Sequence, residues 1–317
     1  MHPAKSVIFF TTVSGAGYGL LIGLAALALA GALPDPAGFA LAGLALALLL
    51  VTAGLIASTW HLGHPERAWR ALSQWRSSWL SREGVCALAT YPPAVLFALA
   101  AGLFGPGHPA TAACALLAGL GALATLVATS MIYASLRAVP AWTGRATPVS
   151  YLALAGLTGT LVLHALLRLW DAGAAPAAGA TAIAFALSAF AVKLVQWERI
   201  DAGGSPSSAE SATGLGGFGK VRLLEAPHGQ PNYLMKEMGF QIARRHARAL
   251  RRGVVILAFF VPTGLVVIAL ATGGSGAVAL ALISAVAGLA GTAIERWLFF
   301  AEARHVVMFY YGGERGT

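Results

Sequence analysis

Six stretches of this chain, 7–33, 39–60, 85–104, 110–136, 254–272 and 277–294, run without a single charged residue. Two more, 149–167 and 177–197, are nearly as apolar but hold His164 and Lys193. Each is close to the ~20 residues that an α-helix needs to cross a hydrocarbon core. Backbone groups in lipid must find their partners within the segment or in a closed barrel, and no period-two alternation marks barrel strands here. A mean hydropathy of +0.74 and a charged fraction of 10% also argue against a water-soluble domain of this size. The reading is all-α: a polytopic integral membrane protein with eight transmembrane helices in one bundle.

The two cysteines, Cys86 and Cys114, both fall inside spans, so they read as small packing residues rather than a disulfide framework. The first span follows Lys5 but is too long for a signal-peptide core, and it is expected to be retained. Eight spans put the N-terminus, the loops after spans two, four and six, and the C-terminus on one side. Of the 21 Lys and Arg, all but Arg168 fall on that side, so both termini are expected to be cytoplasmic. A basic surface that docks a partner would produce the same bias.

The chain reads as a single membrane domain, 1–317, with one sizeable extramembrane segment at 200–252. The first half of that segment, "DAGGSPSSAESATGLGGFG", is a Gly/Ser linker. In the second half, Leu234, Met238, Ile242 and Ala249 recur near helical spacing, with Arg244, Arg245, Arg248, Arg251 and Arg252 around them. This is the pattern of a basic amphipathic helix that lies on lipid or docks a partner subunit. In span one, Gly15, Gly19 and Gly23 are four residues apart; with no strand–turn–helix context they read as a close helix–helix contact, not a nucleotide loop.

Ionisable side chains at membrane depth are expensive and point to function by default. They gather at the basic end: His61, His64, Glu66 and Arg67 after span two, Arg82 and Glu83 before span three, Arg137 after span four, Lys193 and Glu198 late in span six, Glu295 and Arg296 late in span eight. Tyr133 and Trp142 flank the same level. Long cations and tryptophans such as Arg70, Arg76, Trp69 and Trp75 commonly anchor at the headgroups. His61 and Glu83 cannot snorkel in that way, and a partly buried imidazole or carboxylate can be tuned to exchange a proton near neutral pH. Such a group, with hydrogen-bond donors and apolar walls, is what a quinone site requires. A bis-histidine haem needs paired inward histidines, whereas only His164 lies deep in a span; it reads as a packed, hydrogen-bonded side chain. No Cys/His cluster suggests a metal centre in this chain.

The segments "HPAKSVIFFTTVSGAGYGLL", "HLGHPERAW", "SSWLSREG", "IYASLRAVPAW", "NYLMKEMGFQIARRHA" and "ERWLFFAEARH", in this order along nearly the whole chain, resemble the membrane anchor subunit of dimethyl sulfoxide reductase-type molybdoenzymes. The resemblance implies an eight-helix anchor without an intrinsic cofactor. It implies partners: a four-cluster iron–sulfur subunit, a molybdopterin catalytic subunit, and the quinone pool (menaquinol or ubiquinol) of a bacterial cytoplasmic membrane. The family's quinol-site histidine falls on His61, its following arginine on Arg67, and its acidic residue after the Ser-Trp-Leu-Ser run on Glu83. His64, Tyr133, Arg137, Lys193, Glu295 and Arg296 are expected around that site, and Arg244, Arg245 and Arg248 in subunit or lipid docking. Lipid, not nucleic acid, is the expected surface.

The related anchor of quinone-reducing sulfite dehydrogenases is the alternative, and catalytic subunits on the cytoplasmic face mildly favour it. A secondary transporter would show broken spans at corresponding midplane positions. Pro92, Pro93 and Pro262 keep that reading open, whereas a purely structural anchor would leave His61 and Glu83 without a purpose.

Overall fold

Eight helices carry the eight apolar runs. They are α1 Lys5–Leu29, α2 Ala37–Thr59, α3 Trp79–Phe104, α4 Pro109–Ala134, α5 Ala146–Leu169, α6 Ala175–Asp201, α7 Ala247–Ala271 and α8 Gly274–Ala301. The structure is a computed structural model that describes residues 4–34, 37–60, 62–202, 208–222, 224–225 and 246–311. No strand occurs among the described residues. The helices are apolar all round, so sequence alone does not say which of them lie at the centre. Burial does: 67% of the apolar window of α1 and 72% of that of α5 are enclosed, against 33–39% for the other six. Helices α2, α4, α6 and α8 pack directly against this pair, with α3 lying on α2 and α4, and α7 on α6 and α8. Leucines on α3 and α4, among them Leu96, Leu103, Leu117 and Leu120, face outward where lipid would be.

The central contact is made by small residues. A Cβ at Gly19 would run into the Ala155 carbonyl, and one at Gly159 would run into the Gly19 backbone. At Gly23 it would meet the Leu163 side chain at 2.8 Å, whereas Gly15 would make only an ordinary contact with Ala155 at 3.9 Å. The four-residue glycine spacing is therefore packing, as expected, and Gly19 is the member that requires the missing side chain, because there the obstacle is backbone. In lipid, where no hydrophobic drive pulls helices together, such close approach supplies the dispersion contacts that hold them.

Two helices carry internal prolines, and only one of them leaves α geometry. Pro92 and Pro93 sit inside α3, removing two backbone donors. In α7, a π-helical turn over Val255–Phe260 precedes Pro262; the wider turn accommodates the missing proline N–H. The Pro262 carbonyl also accepts from Ser284 Oγ on α8 at 3.0 Å. The interrupted sixth run proves to be a continuous helix to Asp201, with Lys193 turned into the bundle at 3% exposure.

The α2–α3 connection folds back onto the start of α3. Its 3₁₀ helix Pro65–Gln74 has no buried residue. Ser78 caps α3 by accepting from the Ser81 amide, and Ser81 Oγ donates to the Ala71 carbonyl. Arg82 donates to the carbonyls of Trp75 and Arg76 at 3.0 and 2.7 Å and stacks on Trp79. The "SSWLSREG" run is thus a cap, a clamp and then Glu83. In the long extramembrane segment, Ser208 and Ser211 form a reciprocal cap on a short exposed helix, Ala209–Thr213. Of the anticipated basic helix, Leu234, Met238, Ile242, Arg244 and Arg245 lie outside the described residues, as do linker residues 203–207. From Ala247 onward it is continuous with α7, with Arg248 and Ala249 exposed.

Candidate functional site

Helix periodicity turns Glu83 inward. It lies one turn into α3 and is 5% exposed, while the preceding Arg82, also on α3, reaches outward to carbonyls of the loop. Its Oε1 is 2.5 Å from Thr129 Oγ1 on α4, and Thr129 Oγ1 is also 3.0 Å from the Thr125 carbonyl. One hydroxyl has one proton to give. With Glu83 ionised, Thr129 donates to the carboxylate; with Glu83 protonated, the acid donates to Thr129, which donates to Thr125. Both charge states fit the same heavy-atom geometry, as a proton-exchanging group requires. The polar seam continues along α3 and α4 through Thr90 and Thr125, 3.4 Å apart, and Tyr91 joins α2 at Thr52, 2.6 Å away.

Above Glu83 lies the α2–α3 loop. Arg67 is exposed, and its ionic partner is Glu66 at 3.6 Å; His64 bonds the same carboxylate at 3.0 Å. No hydrogen bond or ion pair joins Arg67 to Glu83, so these two anticipated site residues occupy the surface and the interior respectively. His61 lies outside the described residues. Arg137 is exposed on the loop after α4. Tyr133 instead packs in an aromatic cluster with Trp142, Tyr151, Phe299 and Phe300, ring centroids 5.3–5.7 Å away. Trp142 Nε1 donates to the Phe299 carbonyl at 2.8 Å, tying the α4–α5 connection to the end of α8.

The remaining anticipated residues form a second polar centre. Glu295 is fully buried between two cations: Lys193 Nζ at 2.6 Å on one oxygen and Arg296 Nε at 2.6 Å on the other. Lys193 also donates to Gln196 at 2.8 Å, and the Arg296 guanidinium lies 3.9 Å over the Tyr151 ring. Toward the surface, Arg251 at the start of α7 bridges Glu302 at 2.9 Å and Asp201 at 2.6 Å. Burial pushes the Glu302 carboxyl up, and Arg251 opposes that shift. The three cations and three acids of this group, gathered at the ends of α6, α7 and α8, therefore balance.

Sequence reasoning counted Arg251 among the arginines of the basic amphipathic helix; the fold turns it inward, because its α7 position faces the ends of α6 and α8. Thr129, Tyr151, Gln196 and Glu302 were missed. Threonine and tyrosine in an apolar run look like any other span residue, and no spacing marks which of them meets an acid across a helix interface. At the opposite end of the bundle, His164 is fully buried, with Nδ1 2.8 Å from the Ala175 carbonyl; an N–H there is the form that contact requires.

Comparison with known proteins places this architecture. The family model described as DMSO reductase anchor subunit (DmsC) matches residues 1–310. A curated relative, a sulfite dehydrogenase subunit of Allochromatium vinosum, is 34% identical over 98% of this chain and 99% of its own length.

Proposed function

We propose, from the premise that this chain belongs to the family of DMSO reductase anchor subunits, that it exchanges electrons and a proton with quinone at the end of the bundle that carries Glu83. In this reading the chain holds a molybdopterin catalytic subunit and a four-cluster iron–sulfur subunit at a bacterial cytoplasmic membrane. It contributes no redox cofactor of its own. A hydroquinone at the α2–α3 loop would give two electrons, one after the other, to the nearest iron–sulfur cluster of the partner and release two protons. Glu83 accepts one of these and water at the exposed loop the other, with His61 as the hydrogen-bonding group on the ring oxygen. Arg67 is permanently charged and serves to orient, not as a base.

The observation that supports this reading is the buried Glu83–Thr129 pair, which accommodates both charge states directly beneath a loop of cations and tryptophans. A quinone bearing a photoreactive group, irradiated with the assembled complex, should label residues within 62–83, and unlabelled quinone should compete. Labelling confined to other helices would remove the site from this loop.

A second reading runs the electrons the other way, from the molybdenum subunit to quinone. Near-full-length similarity to a subunit named for sulfite dehydrogenase favours it, and a carboxylate that can load a proton serves either direction. Both readings put the docked subunits on the basic face, with Arg248 and its neighbours Arg244 and Arg245 as contacts to protein or lipid. The charge asymmetry supports a cytoplasmic position for that face. A membrane-impermeant thiol reagent applied to intact cells should modify a cysteine introduced within 35–38 and spare one within 203–208. The opposite pattern would place the basic face outside.

A further inference from the structure

Between α1, α4, α5 and α8, just inside the Glu83–Thr129 pair, lies a cavity of about 20 Å³. Its wall includes Thr129, Thr12, Thr292, Tyr151 and Arg296. The side-chain atoms buried at this wall without a hydrogen-bond partner include both terminal nitrogens of Arg296, which is 2% exposed, and the hydroxyls of Thr12, Tyr151 and Thr292. Three other hydroxyls around the cavity are committed. Thr11, Ser14 and Thr158 donate to carbonyls of their own helices at 2.9, 2.6 and 2.8 Å, leaving lone pairs free. A guanidinium in the bundle interior with unmet donors is costly. A cavity of this size exceeds the ~10–15 Å³ that one water requires, and it offers more than the 2–4 polar partners such a water needs.

We infer that this cavity holds bound water that joins the Glu83–Thr129 pair to the Arg296–Glu295–Lys193 cluster and relays protons between them. The charge balance of the ionic groups favours water over an anion: Arg296, Lys193 and Arg251 are matched by Glu295, Glu302 and Asp201, so the unmet donors call for a neutral acceptor. In the relay, a protonated Glu83 gives its proton to Thr129 Oγ1, and the threonine turns its own hydroxyl proton from the Thr125 carbonyl to the water. The water in turn releases one to the carboxylate that Arg296 holds, and Glu295 becomes a neutral acid beside the Lys193 ammonium. Each donor is restored by the one before it, so one proton moves and no oxidant is consumed. Arg296 is a positioning residue: it orients the water and never gives up its own proton. The other titratable side chains facing Glu83 are the phenols of Tyr18 on α1, Tyr133 on α4 and Tyr151 on α5, with the Cys86 thiol on α3 itself.

The inference rests on Glu83 as the proton-exchanging group of the proposed quinone site, and the experiment separates the two. Thr12→Val and Thr292→Val together remove two of the three unpartnered hydroxyls, leaving that of Tyr151, without touching Glu83, Thr129 or any charge. In a high-resolution cryo-EM map of the assembled complex, water density should lie within hydrogen-bond distance of the Arg296 terminal nitrogens, and the double variant should lose it. Its quinone-linked turnover should fall roughly tenfold, less than for an outright lost acid–base group, with an altered solvent hydrogen-isotope effect. Quinone-analogue affinity and dye-linked turnover should stay at wild-type values. An empty cavity in the wild-type map overturns the inference even if the double variant does not fold. Water density with unchanged turnover and isotope effect in the double variant reduces the water to a structural role and overturns the relay. Absence of quinone-analogue binding in the wild type would instead refute the quinone site and leave the density result to decide the water.

Discussion

Glu83→Gln in the assembled complex should lower quinone-linked turnover by about 10²–10⁴, the usual cost of losing a general acid–base group. Glutamine keeps the size of the side chain, and its carbonyl can still accept from Thr129, so the α3–α4 contact survives. What it cannot do is take up a proton. Turnover with an artificial dye that exchanges electrons directly with the soluble subunits should remain near wild type, because docking and metallation do not involve this residue. His61→Ala should show the same split between quinone- and dye-linked rates and should also weaken binding of a quinone-analogue inhibitor. Wild-type quinone kinetics in both variants, with the complex intact, would leave the loop an anchoring role alone. Loss of both activities together would point to failed assembly, which the subunit content of the purified membranes would show.

The second large effect concerns stability. Glu295→Gln leaves Lys193 and Arg296 as two cations in the bundle interior without the carboxylate that each contacts at 2.6 Å. Breaking a buried ion pair by removing one partner costs about 3–5 kcal/mol, a large share of the ~5–15 kcal/mol that holds a typical domain. The variant should lose most of its folded, monodisperse protein on mild heating in detergent. Lys193→Met should cost clearly less. It removes a cation but leaves Glu295 paired with Arg296, and an unbranched apolar side chain can follow the path of the lysine stem. Equal midpoints for Glu295→Gln and wild type would mean that the cluster is not a set of ion pairs at all. A larger loss for Lys193→Met than for Glu295→Gln would assign the stabilising role to the lysine.

Membrane character, eight spans and helical class were all legible in the chain itself. The hydrocarbon core imposes them: a run that cannot be solvated must pair its own backbone, and its minimum length follows from the thickness to be crossed. The same limit made the boundary polar residues conspicuous, so Glu83, Lys193, Glu295 and Arg296 stood out before any fold was known. Gly19 announced a close contact for a related reason, since a missing side chain at helical spacing has no other use in lipid. Which helix it touches was not legible.

Only the tertiary structure decided how the conspicuous residues combine. Glu83 meets Thr129, and Lys193 meets Glu295, across interfaces between helices that are apolar on every side, so no amphipathic pattern tells which faces are turned to each other. Arg251 looked like its basic neighbours because sequence registers its charge and not its direction. The ends of α6 and α8 supply the acids that draw it inward. The cavity at Arg296 is likewise a product of four helices meeting, written in no single segment of the chain. Composition and span length are properties of one helix against lipid, whereas the partner of a buried charge is a property of packing between helices.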